Sequence, residues 1–316
     1  MSEPLHFRIL ISYWFFKDDD VGAIVRNLQA LSGMKKLDVF ADSGAFTAFT
    51  KGVHIDIAEY AAWIRKWEKY LTVYLNLDVI GDQAGTSANQ AKLEAMGLHP
   101  VPVYTFQRAG CDYSILGEMI ERYPYIALGG MVPFMGRPKA IMPHIIKCFK
   151  MAGDRTVYHG LGCTSWHILK AIPFYSVDSS SWCSGGRFRA VSAFDEKKGK
   201  WHRANWSRNS NGKNRNYASL RPVFKTYGYD LDEVIASGQM QYKALLAIPA
   251  LSYIYAERYL RKRHGKVLMP RAEATSESLG LRLYLATLQE FLFEIVASAF
   301  GNLHTDNEGE APINNS

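Results

Sequence analysis

Short apolar runs alternate with amphipathic stretches along the first half of this 316-residue chain. The first run, Phe7–Trp14, is almost continuously apolar, which is typical of a strand buried on both faces. The next stretch repeats apolar residues at helical spacing from Val21 to Leu31 and ends at Gly33. The pattern predicts seven strands: Phe7–Trp14, Leu37–Ala41, Val73–Leu77, Val101–Tyr104, Tyr125–Leu128, Thr156–His159 and Phe174–Val177.

Helical stretches separate these strands, and such alternation predicts a parallel sheet. They are Ile57–Tyr70, Ser87–Met96, Tyr113–Tyr123, Pro138–Met151 and Trp166–Ala171, in addition to the first one. Polar residues and glycines follow nearly every strand, which favours a closed barrel over an open doubly wound sheet with one switch point. We therefore predict an α/β fold, a TIM-like (β/α)8 barrel. The eighth strand is not obvious, and either Phe188–Phe194 or Val267–Met269 could supply it.

The pattern changes after Arg187. Phe188–Phe194 and Lys200–Trp206 predict a hairpin around Asp195–Gly199, followed by the polar stretch Ser207–Tyr217, which we expect to be mobile. The domain prediction is one barrel over residues 1–302 with a basic insertion at about 187–225, and a disordered tail at 303–316. Helices are predicted at Leu231–Ser237, from Lys243 to about His264, and at Leu279–Phe300.

Composition indicates a globular, cytoplasmic protein. The hydrophobic content of 48% is ample for a core, and the apolar run Leu245–Ala256 contains Pro249 and is too short to span a bilayer. The amino terminus lacks the pattern of a signal peptide. The four cysteines form no CxxC pair, which favours reduced thiols.

The charge is concentrated in one segment. The chain has a net charge of +7, yet Arg187 to Lys225 contains eleven basic and two acidic residues and thus carries +9. Such concentration is expected for phosphate contacts. Trp201, Trp206 and Tyr217 could stack on bases or pack the hairpin onto the barrel. The predicted nucleic-acid-binding residues are Arg187, Arg189, Lys197, Lys198, Lys200, Arg203, Arg208, Lys213 and Arg215.

Three acids, an amide and two glycines follow different predicted strands: Asp42, Asp78, Gln107, Gly129–Gly130 and Asp178. A single acid in such a position is more often a helix cap. Together at one rim, these groups suit a planar heterocycle, because carboxylates and amides bind its polar edge and glycines allow close approach.

Six motifs occur in the order and rough spacing of the tRNA-guanine transglycosylases, which this chain resembles from about residue 10 to residue 260. The stretch LLAIPALSYIYAERYLRKR is similar to a late helix of that family, and Asp178–Trp182 is most similar to its archaeal and DNA-modifying branches. The motifs are Asp42–Phe46, Leu77-Asp78, Phe106-Gln107, Leu128–Met131, His159–Gly162 and Val177–Ser179.

The resemblance implies base exchange at a glycosidic bond. Asp178 would be the nucleophile that forms a covalent glycosyl-enzyme intermediate, and Asp42 the general acid and base. Asp78, Gln107 and the backbone of Gly129, Gly130 and Met131 would bind the base. Phe46 would stack on one face of the base, and His159 would cover the other.

The chain departs from the family in two respects. The cluster of three cysteines and a histidine that binds zinc is absent, with Cys183 alone in that region and Ile248-Pro249 where the histidine would stand. We therefore predict no cofactor; His159, Cys163 and His167 are the remaining candidates for a metal site. The family's first strand is also missing, because FRILISYW aligns best with its second, so that the barrel would be truncated or closed by another element.

These departures make the chain most similar to the DNA 7-deazaguanine transglycosylases of phages and bacterial modification clusters. The predicted reaction replaces guanine in DNA with a queuosine-related base such as 7-cyano-7-deazaguanine, after the target nucleotide is flipped out of the duplex. The predicted partners are DNA and the free base, and the predicted location is the cytoplasm (that of the host if phage-encoded). Because members of the resembled family dimerise, a homodimer is one oligomeric state to test. The alternatives are the same reaction on tRNA, a non-catalytic nucleic-acid-binding barrel and, ranked last, a small-glycoside hydrolase.

Overall fold

An eight-stranded, all-parallel, curled sheet forms the centre of the protein. The computed structural model describes residues 7–33, 37–107, 110–184, 190–205, 217–236, 238–265, 267 and 281–286. Its strands are β1 (Arg8–Ser12), β2 (Asp38–Asp42), β3 (Val73–Tyr74), β4 (Val103–Thr105), β5 (Tyr125–Gly129), β6 (Val157–Gly160), β7 (Ser176–Ser179), β8 (Ala190–Asp195), β9 (Lys200–Asn205) and β10 (Arg282–Ala286). The sheet order is β3-β2-β1-β10-β7-β6-β5-β4, and β8 and β9 form a separate antiparallel hairpin.

Helices follow most of the strands. They are α1 (Tyr13–Phe16), α2 (Val21–Ser32), α3 (Ala45–Thr50), α4 (Ile57–Trp67), α5 (Gln83–Ala95), α6 (Tyr113–Arg122), α7 (Pro138–Ala152), α8 (Trp166–Ala171), α9 (Tyr217–Thr226), α10 (Leu231–Ala236) and α11 (Gly238–His264). Aspartates cap α2, α4, α5 and α6: in each, the carboxylate accepts a hydrogen bond from a backbone N–H of the first turn, as N-caps do. These four caps are Asp20, Asp56, Asp82 and Asp112.

Two hydrophobic layers pack on opposite faces of the sheet. The larger lies between the sheet and the helices and includes Ile9, Val39 and Ile126. The smaller takes residues from β1, β2, β4, β5 and β10, among them Leu10, Phe40 and Tyr284. Because strand side chains alternate between faces, neighbouring residues such as Ile9 and Leu10 enter different layers. The sheet therefore curls around an apolar interior.

All seven predicted strands are present, and the hairpin forms where it was expected. The helix α5 begins at Gln83, four residues earlier than predicted, because Asp82 caps it. Neither candidate for the eighth strand joins the sheet within the described residues. β10 does so instead, pairing in parallel with β1 and with β7. The predicted helix Leu279–Phe300 is therefore wrong at Arg282–Ala286.

β10 thus occupies the position between β1 and β7 in the sheet. Most of Ser207–Tyr217 and the whole tail 303–316 lie outside the described residues. In the part of the chain that is described, no helix is both long and apolar enough to cross a membrane.

Candidate active site at the carboxyl ends of the strands

The predicted catalytic aspartates lie at the carboxyl ends of two strands of the sheet. Asp42 ends β2, beside Ser12 of β1, and Asp178 lies in β7, beside Tyr284 of β10. Since β1 and β10 are adjacent, only these two strands separate β2 from β7. The carboxyl ends of parallel strands form one edge, so that the two acids lie on the same rim.

Asp178 is held firmly by one of its oxygens. Its Oδ1 accepts a hydrogen bond from the backbone N–H of Gly162 at 2.7 Å and lies 3.2 Å from His159 Nε2. Asp178 is 8% exposed, whereas His159 is fully buried and Gly162 is half-buried. Gly162 has a φ of 60°, a left-handed conformation that favours glycine, which lets this loop turn its N–H toward Asp178.

Asp42 and Asp78 form an acidic pair whose pKa values are shifted upward. Burial raises the pKa of Asp42 to about 7, and the negative charges of Asp78 and Asp178 add to the effect. Burial also raises the pKa of Asp78 to about 6, against a weak hydrogen bond from Ser43 Oγ at 3.5 Å. The charges of both other acids therefore act on the pKa of Asp42, in agreement with the position of the three carboxyl groups on one rim.

These three aspartates are not helix caps, the simpler interpretation of their sequence positions. Gly44 is the N-cap of α3, and Ser43 Oγ accepts from Ala45 N at 3.2 Å, whereas Asp42 Oδ2 accepts from Gly44 N at 3.1 Å, before the helix begins. Asp178 accepts from a loop that belongs to another strand. The capping role falls to the four other aspartates named above.

The predicted base-binding groups line the same edge at β4 and β5. Gln107 follows β4, and its Nε2 donates to Gly81 O at 3.4 Å, three residues beyond Asp78. Phe106 N donates to Gly129 O at 3.0 Å and so joins the ends of β4 and β5. Gly130 is exposed with a φ of 72°, and a Cβ there would lie 2.6 Å from Phe106 O. Only glycine therefore fits beside Gln107.

Phe46 and Met131 differ in how they could contribute. Phe46 is 57% exposed on α3, so its ring is available to a ligand. Met131 is fully buried in the larger hydrophobic layer, so neither its side chain nor its backbone reaches the surface of the rim, and its predicted contact with the base has no support from this geometry. Neither of two described cavities is lined by Asp42, Asp78 or Asp178, although Thr105 and Gln107 line one of them.

His159 does not fit its predicted role as a cover for the base. It is fully buried, and its ring stacks on Phe40 with 4.5 Å between the centroids. The register pairs His159 with Ser176, two residues before Asp178, so the ring lies one layer below the rim. From there it contacts Asp178 and does not reach the surface.

Sequence reasoning missed two hydroxyls at the rim. Ser12 Oγ and Thr105 Oγ1 are buried and have no hydrogen-bond partner among the described residues. Ser12 is the register partner of Asp42, and Thr105 pairs with Gly129. Each is a polar residue at the end of an apolar run, which is the signal that could have identified them. Both are therefore unsatisfied polar groups close to the rim acids.

The basic insertion is described only in part. Arg187, Arg189, Arg208, Lys213 and Arg215 lie outside the described residues, as does Trp206. Lys197, Lys200 and Arg203 are exposed on the hairpin, whereas Lys198 pairs with Asp195 at 3.4 Å. Trp201 packs against Phe194 at 5.2 Å and Tyr253 at 5.0 Å, so it fixes the hairpin to α11. Of the two roles predicted for Trp201, stacking on bases and packing the hairpin, the structure shows packing.

Among the described residues, no group of three or more His, Cys, Asp or Glu side chains could hold a metal ion. His159, Cys163 and His167 do not form such a group: His159 contacts Asp178, and Cys163 is buried. The absence of a cofactor remains a prediction.

Comparisons of the chain with protein-family models and with curated proteins find no match.

Proposed function

We propose that this protein is a base-exchange transglycosylase that replaces guanine in DNA with a 7-deazaguanine through a covalent aspartyl-glycosyl intermediate. The proposal depends on one observation: two carboxyl groups with different surroundings lie on the same rim. Asp178 is fixed by two hydrogen bonds, while Asp42 has a pKa raised to about 7. A fixed carboxylate suits a nucleophile, and a carboxyl group that titrates near neutral pH suits a general acid and base.

The reaction proceeds in two halves. Asp178 attacks C1′ of the flipped nucleotide as the bond from C1′ to guanine N9 breaks. The electron pair of that bond goes to the guanine, which takes a proton from Asp42. The incoming base then gives a proton to Asp42 and attacks C1′, and the bond to Asp178 breaks. Retaining glycosidases use the same division of roles between two carboxyl groups.

Base binding is assigned to the remaining rim groups. Asp78 and Gln107 hydrogen-bond the polar edge of the purine, and the exposed backbone of Gly130 approaches it closely. The exposed ring of Phe46 stacks on one face. The unpartnered hydroxyls of Ser12 and Thr105 give two further contacts.

The proposal includes a closed (β/α)8 barrel. The outer strands of the sheet order, β3 and β4, meet at a parallel bridge between Leu75 and Val101. Asn76 N donates to Val101 O, and Val101 N donates to Tyr74 O, both at 2.9 Å. These bonds support closure of the sheet, with β10 as the eighth strand and the insertion between β7 and β10.

DNA is proposed as the polymer because Asp178–Trp182 is most similar to the archaeal and DNA-modifying branches of the family that the chain resembles, and because Lys197, Lys200 and Arg203 are exposed on the hairpin. Backbone phosphates are bound by such charges in either polymer. The same reaction on tRNA is therefore the first alternative. A non-catalytic nucleic-acid-binding barrel is the second.

An exchange assay tests the proposal. The protein is incubated with duplex DNA or with tRNA and radiolabelled guanine or 7-cyano-7-deazaguanine. Label in DNA supports the proposal, label in tRNA supports the first alternative, and label in neither overturns both. Salt-sensitive binding without exchange would favour the non-catalytic barrel.

Two variants test the assigned roles. Asp178→Asn should abolish the covalent adduct detected by denaturing electrophoresis, because an amide is not a nucleophile here. Asp42→Asn should lower exchange by roughly 100-fold or more, the loss expected for a missing general acid. Asp56→Asn is the matched control, because Asp56 is an exposed N-cap of α4 and asparagine also caps helices. An adduct that persists without Asp178 would show that the roles are misassigned.

A further inference from the structure

We infer that a buried hydrogen-bonded chain of Tyr125, Ser176 and His159 fixes the carboxylate of Asp178, so that Oδ2 is the oxygen that attacks the sugar. His159 is then a positioning residue, not a base-binding one. The inference rests on the proposed function, since it concerns the nucleophile of that reaction, and it specifies which atom reacts and what holds it.

The two oxygens of Asp178 have different surroundings. Oδ1 accepts from Gly162 N at 2.7 Å and is 3.2 Å from His159 Nε2. Oδ2 has no hydrogen-bond partner among the described residues. A carboxylate oxygen with two donors is a weaker nucleophile than one without, because the donors stabilise its lone pairs. Oδ2 is therefore free to react, and Oδ1 becomes the carbonyl oxygen of the glycosyl ester.

The protons of the chain can be placed by elimination. Tyr125 OH lies 2.5 Å from Ser176 Oγ, which lies 2.6 Å from His159 Nδ1. An unprotonated Nε2 would set its lone pair against Asp178 Oδ1, so Nε2 carries a proton and donates. Nδ1 of the neutral ring then accepts from Ser176, and Ser176 accepts from Tyr125. In this arrangement, every donor of the chain has an acceptor.

The doubly protonated ring fits these contacts less well. Nδ1–H would donate to Ser176, and the Ser176 hydroxyl would have to donate to Tyr125. The Tyr125 hydroxyl would then need another acceptor, and none lies within hydrogen-bond distance among the described residues. Burial raises the pKa of Tyr125 well above its ordinary value, so the hydroxyl keeps its proton and stays a donor. The chain therefore selects the neutral ring protonated on Nε2.

Packing prevents the imidazole from turning away. His159 is fully buried, and its ring stacks on Phe40 at a 24° interplanar angle. Tyr284 packs edge-on against Phe40 at 5.0 Å and thereby supports the stack from β10. Rigid support of this kind keeps a catalytic group in its productive geometry.

The two donors on Oδ1 hold the carboxylate in position during the first half of the reaction and stabilise its charge during the second. The Oδ2–C1′ bond forms as the C1′–N9 bond breaks, with the electron pair and the Asp42 proton passing to guanine. In the second half, the Oδ2–C1′ bond breaks and the electron pair returns to the carboxylate. The hydrogen bonds from His159 and Gly162 stabilise the charge that develops there, as preorganised donors do. Loss of the His159 donor should therefore slow the chemical step without weakening substrate binding.

Three variants in the full-length protein test the inference. His159→Phe removes the donor and keeps an aromatic ring on Phe40, and we expect kcat for exchange to fall about 100-fold with KM within about threefold. His159→Gln places an amide N–H near the position of Nε2 and should recover at least about tenfold of that loss. His144→Phe is the matched control for replacing a buried histidine. It should leave kcat unchanged.

The tautomer provides a readout that does not depend on activity. In protein with ¹⁵N-labelled histidine, the resonances lost in His159→Gln should show a neutral ring protonated on Nε2. Tyr125→Phe removes the first hydroxyl of the chain and should shift these resonances toward a mixture of tautomers. Wild-type resonances of the opposite tautomer would overturn the inference whether or not any variant folds.

The outcomes separate this inference from the proposed function. No exchange by the wild-type protein would defeat the proposed function. Exchange by the wild type with an equally active His159→Phe would leave that function standing and show that His159 has no positioning role. A His159→Gln variant no better than His159→Phe would also contradict it, because the donor would not be what matters.

Discussion

Asp42 is a residue whose ionisation links the stability of the protein to pH. Burial and the neighbouring charges of Asp78 and Asp178 raise its pKa from 3.8 to about 7 in the folded state. A raised carboxyl pKa contributes stability that is fully present below the unfolded pKa and is lost as pH rises through the folded pKa. The relevant window therefore runs from about pH 4 to about pH 7, and the ionised side chain is a cost above it.

Asp42→Asn should stabilise the protein at pH 8 and have little effect at pH 4. Asparagine resembles the protonated acid and can still accept from Gly44 N. We expect the free energy of unfolding at pH 8 to rise by on the order of 1–3 kcal/mol, from a pKa shift of about three units at 1.36 kcal/mol each and partial solvation. Melting temperatures of variant and wild type, compared at both pH values, check this.

Asp56→Asn again serves as the control for that measurement, because Asp56 is exposed and has no carboxylate neighbour comparable to Asp178. Its melting temperature should follow that of the wild type at both pH values. An Asp42→Asn variant that is destabilised equally at pH 4 and pH 8 would mean that Asp42 acts through its hydrogen bonds and not through its charge.

The rim acids could be found from sequence because each follows an apolar run, but the role of His159 could not. Its position in the HGLG motif suggested a strand end facing the ligand. In the fold, β6 continues to Gly160, and the turn to Gly162 places the backbone N–H, not the imidazole, at the level of Asp178. Whether a side chain lies at the rim or one layer below depends on strand register, which a single sequence does not specify.

The hairpin formed by β8 and β9 is attached to α11 and α8 through its turn. Gly199 has a φ of 60°, and a Cβ at this position would lie 2.4 Å from the Tyr259 ring. Trp166 Nε1 donates to Gly199 O at 3.1 Å, and Glu196 forms an ion pair with Arg258 of α11. The basic turn of the insertion is therefore held in a defined position against the sheet domain.

Gly199→Ala should loosen this attachment. The left-handed conformation costs an L-residue about 1–2 kcal/mol, and the collision with Tyr259 adds about 1–3 kcal/mol because Trp166 and Phe194 limit movement of that ring. We expect a lower melting temperature and increased proteolytic cleavage at the hairpin. Both are measured on the full-length protein.

The matched control is Gly228→Ala, because Gly228 has a similar φ of 75° but open space where a Cβ would lie. It should show only the conformational part of the loss. Equal destabilisation by the two variants would indicate that contact with Tyr259 is unimportant for docking of the hairpin.

The strand β10 shows where pattern reasoning fails for an element. The seven earlier strands were identified because turn signals bound each apolar run, whereas Arg282–Ala286 lies within a long amphipathic stretch. Five residues of strand cannot be separated from a helix by periodicity alone. What selects the strand is tertiary: Leu283 N donates to the buried Glu257 of α11, and β10 pairs with both β1 and β7.

Across the whole chain, the excess of positive charge is concentrated in the insertion. Residues 187–225 carry a charge of +9. Because the net charge of the chain is +7, the remaining residues together carry −2. The acidic side chains of the hairpin are neutralised by ion pairs, since Asp195 pairs with Lys198 and Glu196 pairs with Arg258. A polyanion should therefore contact this segment first, while the acidic rim excludes phosphate from the site itself.

Removing hairpin charge should reduce the salt dependence of DNA binding. We expect the triple variant Lys197→Ala, Lys200→Ala, Arg203→Ala to lower the slope of log K against log salt by roughly 2–3, because each phosphate contact contributes about 0.9. Fluorescence anisotropy with a labelled duplex, titrated at several salt concentrations, measures the slope. The control triple Lys66→Ala, Lys92→Ala, Lys150→Ala removes the same charge from exposed helix positions of α4, α5 and α7 and should keep the wild-type slope. If both triples lower the slope equally, net charge alone governs DNA binding. The hairpin variant retains the rim residues, and its exchange rate at saturating DNA should therefore match that of the wild type.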